Sequence, residues 1–150
     1  GLLNKNCVVV VRFQGPKACG MPELHQLTPK LGVLMDQGYQ VALVTDGRMS
    51  GASGKVPAAI HVTPEAVDGG VIAKVKTNDM ILIDCKRGIL QLLVSDEELA
   101  ARSGHLMEEQ DFIVRGMGRE LFTHLRSNFT GAEQGACSLF KGNEFCYDAS

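Results

Sequence analysis

Apolar residues in the first third of the chain follow two different periods. Continuous β-branched runs at residues 7–13 and 41–45 predict two buried strands. Between these runs, apolar residues recur every three or four positions, which predicts a helix that is disturbed by Pro29 and ends at Gly38. The residues of this helical pattern are Leu24, Leu27, Leu31, Leu34 and Met35. The pattern therefore predicts two strands joined by a helix.

The remainder of the chain contains shorter predicted elements. A short helix is expected from Pro64 and ends at Gly69 and Gly70, and a further helix begins at Ser95. Three short strands are predicted at residues 71–75, 80–85 and 88–94, and a longer helix at 111–127. The apolar face of that helix consists of Phe112, Leu121, Phe122 and Leu125. From Gly131 onward we expect a tail that wraps or frays.

These elements together predict an α/β fold with a mixed sheet, open or closed, rather than a doubly wound one. The 150 residues suit a single domain, in which 45% of residues are hydrophobic and 21% are charged. This composition excludes a disordered tail and a collagen-like fibre. The longest purely apolar runs, such as residues 8–11, are far too short to span a bilayer.

Charge and cysteine content narrow the candidate functions further. Fifteen Lys and Arg against 17 Asp and Glu give a net charge of −2, and only 5% of residues are aromatic, so nucleic-acid binding is poorly supported. The five cysteines are odd in number and lack C-x-x-C spacing, which favours neither a disulfide framework nor a zinc knuckle. Reduced thiols favour a cytosolic location. Because the chain opens with Gly1 rather than Met, we expect it to be a piece of a longer protein.

The loop at residues 46–55 is the first candidate for chemistry. It contains three glycines together with Arg48, Ser50, Ser53 and Lys55, so it could present backbone N–H groups, hydroxyls and cations to a phosphate or carboxylate. Its glycine spacing matches neither a P-loop nor a dinucleotide-binding fingerprint. The composition alone leaves anion binding and an ordinary turn between strands as equal alternatives.

Glu23 is the second candidate, since it lies in a loop immediately before the predicted helix. A carboxylate there either favours the helix dipole or serves as one ligand of a hard cation such as Mg²⁺. A single carboxylate does not make a metal site, so further ligands would have to come from substrate, water or another part of a longer chain.

Two sequence strings are more specific than these compositions. They are Gly15-Pro-Lys-Ala-Cys-Gly-Met-Pro-Glu23 and the segment at residues 45–65, which includes Arg48-Met-Ser-Gly-Ala-Ser-Gly-Lys-Val-Pro. With these strings, residues 7–140 resemble the C-terminal part of the dihydroxyacid dehydratase/6-phosphogluconate dehydratase family. Within that family, the Ser-Gly-Ala-Ser-Gly-Lys continuation is similar to the 6-phosphogluconate branch.

The resemblance implies a hydro-lyase reaction of the Entner–Doudoroff pathway, in which 6-phospho-D-gluconate loses water to give 2-dehydro-3-deoxy-6-phosphogluconate. It implies an iron–sulfur cluster, expected to be of the 4Fe-4S type, and Mg²⁺ or a similar divalent cation. Glu23 matches the metal-ligating Glu of the family, and Ser50 matches the Ser proposed to remove the C2 proton. Arg48, Ser53 and Lys55 are candidates for gripping a phosphate or carboxylate on chemical grounds.

The resemblance also implies a β-barrel-like swivelling domain with flanking helices, located in the cytoplasm as part of a homodimer. The site would lie between this domain and the chain's own N-terminal domain. Because none of the five cysteines lies in a matching cluster motif, we expect the cluster ligands outside these 150 residues and the isolated chain to be inactive. Two alternatives stay open. They are a domain of a related aldonate or dihydroxyacid dehydratase, and a non-catalytic swivelling domain that binds a phosphorylated metabolite.

Overall fold

Two separate β-sheets form the framework of the described residues, which are 4–50, 54–105, 121 and 123–139 of a computed structural model. The first sheet is parallel and has the strand order β1 (Cys7–Val11), β2 (Val41–Thr45) and β3 (Ala58–Ala59). The second is an antiparallel hairpin of β4 (Ile81–Asp84) and β5 (Ile89–Leu92). The described residues thus have an α/β fold, as the sequence predicts.

Short helices lie between and after these strands. Pro29 lies in the first turn of the second helix rather than in its interior, because proline fits that position without losing a helical hydrogen bond. The prediction that Pro29 disturbs this helix is therefore wrong. Ser95 caps the third helix as predicted, since its hydroxyl accepts the N–H of Glu98 at 3.2 Å. The helices are α1 (Pro16–Cys19), α2 (Thr28–Asp36), α3 (Asp96–Ala101) and α4 (Thr123–Ser127), with 3₁₀ turns at Ala66–Asp68, Val71–Lys74 and Ala132–Gln134.

The parallel sheet lies between two apolar clusters, because alternate residues of β2 point to opposite faces. The cluster on the α2 side contains Leu31, Val41, Leu43 and Val56. The cluster on the other side contains Val44, Ala66, Ile72 and Ala73. Because both of its faces are buried, β2 lies at the centre of the fold. The loop that follows it begins at its carboxyl end.

The strand predicted at residues 71–75 is a 3₁₀ turn instead, at Val71–Lys74. Arg12 explains the difference, since its Nη1 donates to the carbonyl oxygens of Ala73 at 3.2 Å and Val75 at 2.9 Å. Carbonyl groups that a distant guanidinium satisfies do not need a neighbouring strand. Within the segment, Ile72 is only 3% exposed, whereas Val71 is 49% exposed.

The expected barrel is not confirmed, because among the described residues the two sheets do not join into one mixed or closed sheet. The predicted helix at 111–127 lies mostly outside the described residues, including Phe112 and Phe122. Its described end is α4, and Leu121, expected on the apolar face, is 70% exposed. Within the described ranges no helix is both long and apolar enough to cross a membrane.

Candidate active site

Two loops meet at the carboxyl edge of the parallel sheet. The first follows β1 and leads through α1 to Glu23, and the second follows β2 and carries Arg48. The backbones of these two residues form a short parallel bridge, in which the N–H of Leu24 donates to the carbonyl oxygen of Arg48 at 3.2 Å. Ligands of open parallel sheets bind at this edge, where the loops after neighbouring strands converge.

The side chains of Glu23 and Arg48 are also paired. Arg48 Nη1 donates to Glu23 Oε1 at 2.8 Å, and Arg48 Nε donates to the carbonyl oxygen of Met21 at 2.8 Å. The two side chains are 41% and 42% exposed, so this ion pair contributes little stability. Its position presents a carboxylate and a guanidinium side by side to solvent. Both predicted site residues are therefore in one place, although 25 positions separate them in the sequence.

The fit of a divalent cation to this pair is partial. Glu23 offers one carboxylate, a ligand type that Mg²⁺ accepts, and Oε1 is the oxygen that Arg48 already engages. Across the described part of the chain, no group of three His, Cys, Asp or Glu side chains is placed to hold a metal. The described residues thus supply one Mg²⁺ ligand, Glu23, and the remaining ligands would have to come from elsewhere. The described residues do not fit an iron–sulfur cluster, which requires several convergent cysteines.

The other predicted site residues are placed differently. Ser50 is half-buried, two positions after Arg48 on the same loop, whereas Ser53 lies outside the described residues. Lys55 forms an exposed ion pair with Asp36 of α2 and does not join Glu23 and Arg48. Beside that pair is a hollow of about 270 Å³, lined by Thr28, Pro29, Gly32, Val33, Asp36, Lys55 and Val56.

Asp46 is a residue whose importance the sequence did not indicate. It directly follows β2 and is completely buried, and it accepts three backbone hydrogen bonds. Gly47 lies so close to the first loop that a Cβ there would be 2.7 Å from the carbonyl oxygen of Gln14. In the sequence, the signal for this role was an acidic residue immediately after a buried strand. The burial of Asp46 itself, however, depends on loops that are distant in sequence.

Glu65 is a second buried acid, only 1% exposed. Its carboxylate accepts the backbone N–H of Lys17 at 3.1 Å and that of Ala18. Burial raises the pKa of Glu65, because these hydrogen bonds only partly offset the loss of water around its charge. Gly15 leaves the space that this carboxylate occupies, since a Cβ there would be 2.2 Å from Glu65 Oε2. Glu65 therefore fixes the start of α1, the helix that leads to Glu23.

Comparison with known proteins agrees with the resemblance noted in the sequence. The profile of the family described as "Dihydroxy-acid/6-phosphogluconate dehydratase C-terminal" matches residues 1–136. Phosphogluconate dehydratase of Escherichia coli (strain K12) is 62% identical over 139 residues, which are 93% of this chain and 23% of that protein. The enzyme of the same name from Zymomonas mobilis is 55% identical over 142 residues, or 95% of this chain and 23% of that protein.

A dihydroxy-acid dehydratase of Pyrobaculum calidifontis is 52% identical over 96 residues, covering 63% of this chain and 17% of that protein. The chain spans a little under a quarter of the length of the phosphogluconate dehydratases it matches. The match by the family profile nevertheless covers most of the chain and includes both loops of the candidate site. The chain therefore belongs to the dihydroxy-acid/6-phosphogluconate dehydratase family, of which it represents the C-terminal part.

Proposed function

We propose that this chain is the C-terminal part of a 6-phosphogluconate dehydratase, which removes water from 6-phospho-D-gluconate to give 2-dehydro-3-deoxy-6-phospho-D-gluconate. Relatives with the name phosphogluconate dehydratase, at 50–62% identity over at least 91% of this chain, support the assignment. The structural observation that carries it is the contact of Glu23 with Arg48 at the carboxyl edge of the sheet. Such a pair suits a substrate that brings both an anion and a metal-bound oxygen.

Arg48 supplies the positive charge in this proposal. A guanidinium forms paired hydrogen bonds with a carboxylate or phosphate, and Arg48 is exposed enough to reach an arriving ligand. In the structure, Glu23 Oε1 accepts one of its N–H groups. When the substrate anion takes over that N–H group, the Glu23 carboxylate becomes available to a cation.

Glu23 is the proposed ligand of Mg²⁺ or a similar divalent cation within this chain. When bound, the cation supplies positive charge that favours ionised oxygens of the substrate. The remaining ligands, and the iron–sulfur cluster of the proposed holoenzyme, are assigned to residues outside the described part of this chain.

Ser50 is the proposed base for the C2 proton. The reaction removes a proton from C2 and a hydroxyl group from C3, which leave as water, and the resulting enol becomes the 2-keto product. A serine hydroxyl is a weak base, so its deprotonated form needs positive charge or N–H donors nearby. Arg48, two positions away on the same loop, is a source of positive charge. Ser53 and Lys55 stay as proposed contacts to the substrate's anionic groups.

A dihydroxyacid dehydratase is the second candidate, favoured by the 52% identity to the Pyrobaculum calidifontis enzyme. The two candidates differ in whether the substrate carries a phosphate. The homodimer, the cytoplasmic location and the contact with an N-terminal portion of the same protein belong to either proposal. Size-exclusion chromatography of the full-length protein tests the homodimer.

The decisive experiment is anaerobic purification of the full-length protein, followed by assay with 6-phosphogluconate and with a 2,3-dihydroxy acid. We expect turnover of the phosphorylated substrate with release of a 2-keto acid. Arg48→Gln should raise the KM for 6-phosphogluconate. Lys30→Gln, which removes a positive charge from the exposed face of α2, is the matched control and should leave this KM unchanged. Turnover of the dihydroxy acid alone would favour the second candidate, and no turnover of either would reject both.

A further inference from the structure

The completely buried carboxylate of Asp46 joins three segments that are distant in sequence. Its Oδ1 accepts the N–H of Gln14 at 2.9 Å. Its Oδ2 accepts the N–H of Phe13 at 3.1 Å and that of Ala66 at 3.0 Å. The side chain is 0% exposed, so these N–H groups replace the water that the carboxylate would otherwise bind. Both oxygens are therefore committed to holding backbone.

The two loops that meet at the site are both attached to this carboxylate. Asp46 itself begins the loop that carries Arg48, and its Phe13 and Gln14 contacts begin the loop that leads to Glu23. The loops come together again farther along, where the N–H of Leu24 donates to the carbonyl oxygen of Arg48. Asp46 does not contact that second junction, so any effect on it has to pass through the two loops.

We propose that Asp46 is a positioning residue, which holds the loop of Glu23 and the loop of Arg48 in register by accepting the backbone N–H groups of their neighbours. The assignment of Glu23 and Arg48 to a dehydratase site rests on the proposed function, but the register itself does not. Close contact of Gly47 with Gln14 supports the same view, since the loops are stacked with no room for a side chain between them.

Asp46→Asn tests the proposal because asparagine has almost the same shape. Its amide nitrogen donates and cannot accept, so at least one of the three N–H groups loses its partner in either orientation of the amide. The control is Asp84→Asn in the β4–β5 turn. The N–H groups of Lys86 and Arg87 both donate to Asp84 Oδ1, so this change removes a carboxylate charge but keeps both hydrogen bonds. Amide hydrogen exchange of the full-length protein, measured at single amides by mass spectrometry with fragmentation, is the measurement.

We expect the Leu24 N–H to exchange about tenfold faster or more in Asp46→Asn, relative to strand amides such as Leu43, and to be unchanged in Asp84→Asn. A role confined to local stability would speed exchange at Phe13, Gln14 and Ala66 only. Unchanged exchange at Leu24 therefore overturns the proposal.

A second measurement covers the case in which Asp46→Asn does not fold. In the unmodified chain, exchange at increasing denaturant gives an opening free energy for each amide. If Asp46 holds the loops as one unit, Gln14, Ala66 and Leu24 share a single opening free energy. Clearly different values overturn the proposal.

Kinetics of the full-length enzyme separate this inference from the proposed function. A displacement of about 1 Å in a catalytic group costs on the order of a hundredfold in rate, so Asp46→Asn should lower kcat by about tenfold to a hundredfold. Absence of turnover in the unmodified enzyme would reject the dehydratase function, while the exchange data would still decide the role of Asp46. Normal kcat in the variant, with wild-type turnover present, would contradict positioning.

Discussion

Gly15 offers the sharpest test of how the buried acids shape the candidate site. A Cβ at this position would lie 2.2 Å from Glu65 Oε2 and 2.5 Å from its Cδ. The backbone of Gly15 has φ −74° and ψ 176°, which alanine adopts without strain. Any loss of stability in Gly15→Ala is therefore caused by the displaced Glu65 side chain.

The magnitude follows from what Glu65 loses when it moves. Its carboxylate would give up the N–H groups of Lys17 and Ala18, and hydrogen bonds to a charged group contribute about 1.5 to 3 kcal/mol each. Replacing glycine by alanine returns about 0.4 to 1 kcal/mol by restricting the unfolded chain. We expect a net loss of about 2 to 5.6 kcal/mol in the free energy of unfolding.

Urea unfolding of the 150-residue chain, followed by circular dichroism, measures this loss. The reasoning requires that the effect depend on Glu65, so the same change is made in a Glu65→Ala background. There, Gly15→Ala should be neutral or should stabilise by up to about 1 kcal/mol, because no side chain remains in its path. Gly32→Ala in α2 is the matched control, since its Cβ would meet only Lys55 Cδ at 3.8 Å, and it should stabilise by about 1 kcal/mol. An equal loss in both backgrounds would refute the steric argument.

The other predictions concern the acids and the serine. Folding stability should fall as pH rises from the ordinary pKa of a glutamate through the raised pKa of Glu65, because the folded chain holds that proton more tightly than the unfolded one. Urea unfolding at several pH values should show this fall in stability. The Glu65→Gln variant should not show it. Glu23→Gln should weaken Mn²⁺ binding to the full-length protein in calorimetric titrations without lowering its melting temperature. Unchanged affinity would leave Glu23 only as the ion-pair partner of Arg48, because α2 begins five positions later, at Thr28. Ser50→Ala in the full-length enzyme should slow exchange of the substrate C2 proton with solvent by about a hundredfold to ten-thousandfold, and near-normal exchange would assign the base to another residue.

The local pattern of the sequence was sufficient for several elements. The apolar run at 41–45 gave β2 with its observed bounds, because a strand buried on both faces needs apolar residues at every position. Ser95 predicted the start of α3 because its hydroxyl caps a helix within four residues. The strings around Glu23 and Arg48 carried the resemblance to the family, which the comparisons confirm.

The sequence did not determine which residues are brought together at the candidate site. Glu23 and Arg48 were separate candidates, and only the parallel alignment of β1 with β2 places their loops side by side. Lys55 was a candidate because it lies on the same loop as Arg48, yet it pairs with Asp36 on α2. Spacing along a loop does not reveal which neighbouring element each side chain will contact.

The buried acids depended on tertiary structure most of all. Asp46 and Glu65 are ordinary polar residues in the linear pattern, where acids are expected at the surface. Their partners are backbone N–H groups, which every residue except proline carries and which therefore leave no mark in the sequence. Likewise, the β-branched segment at 71–75 became a 3₁₀ turn because Arg12, about 60 positions earlier, satisfies its carbonyl groups. Local propensity fixed the strands and caps of this chain, whereas hydrogen bonds between distant segments decided the geometry at the edge of its sheet.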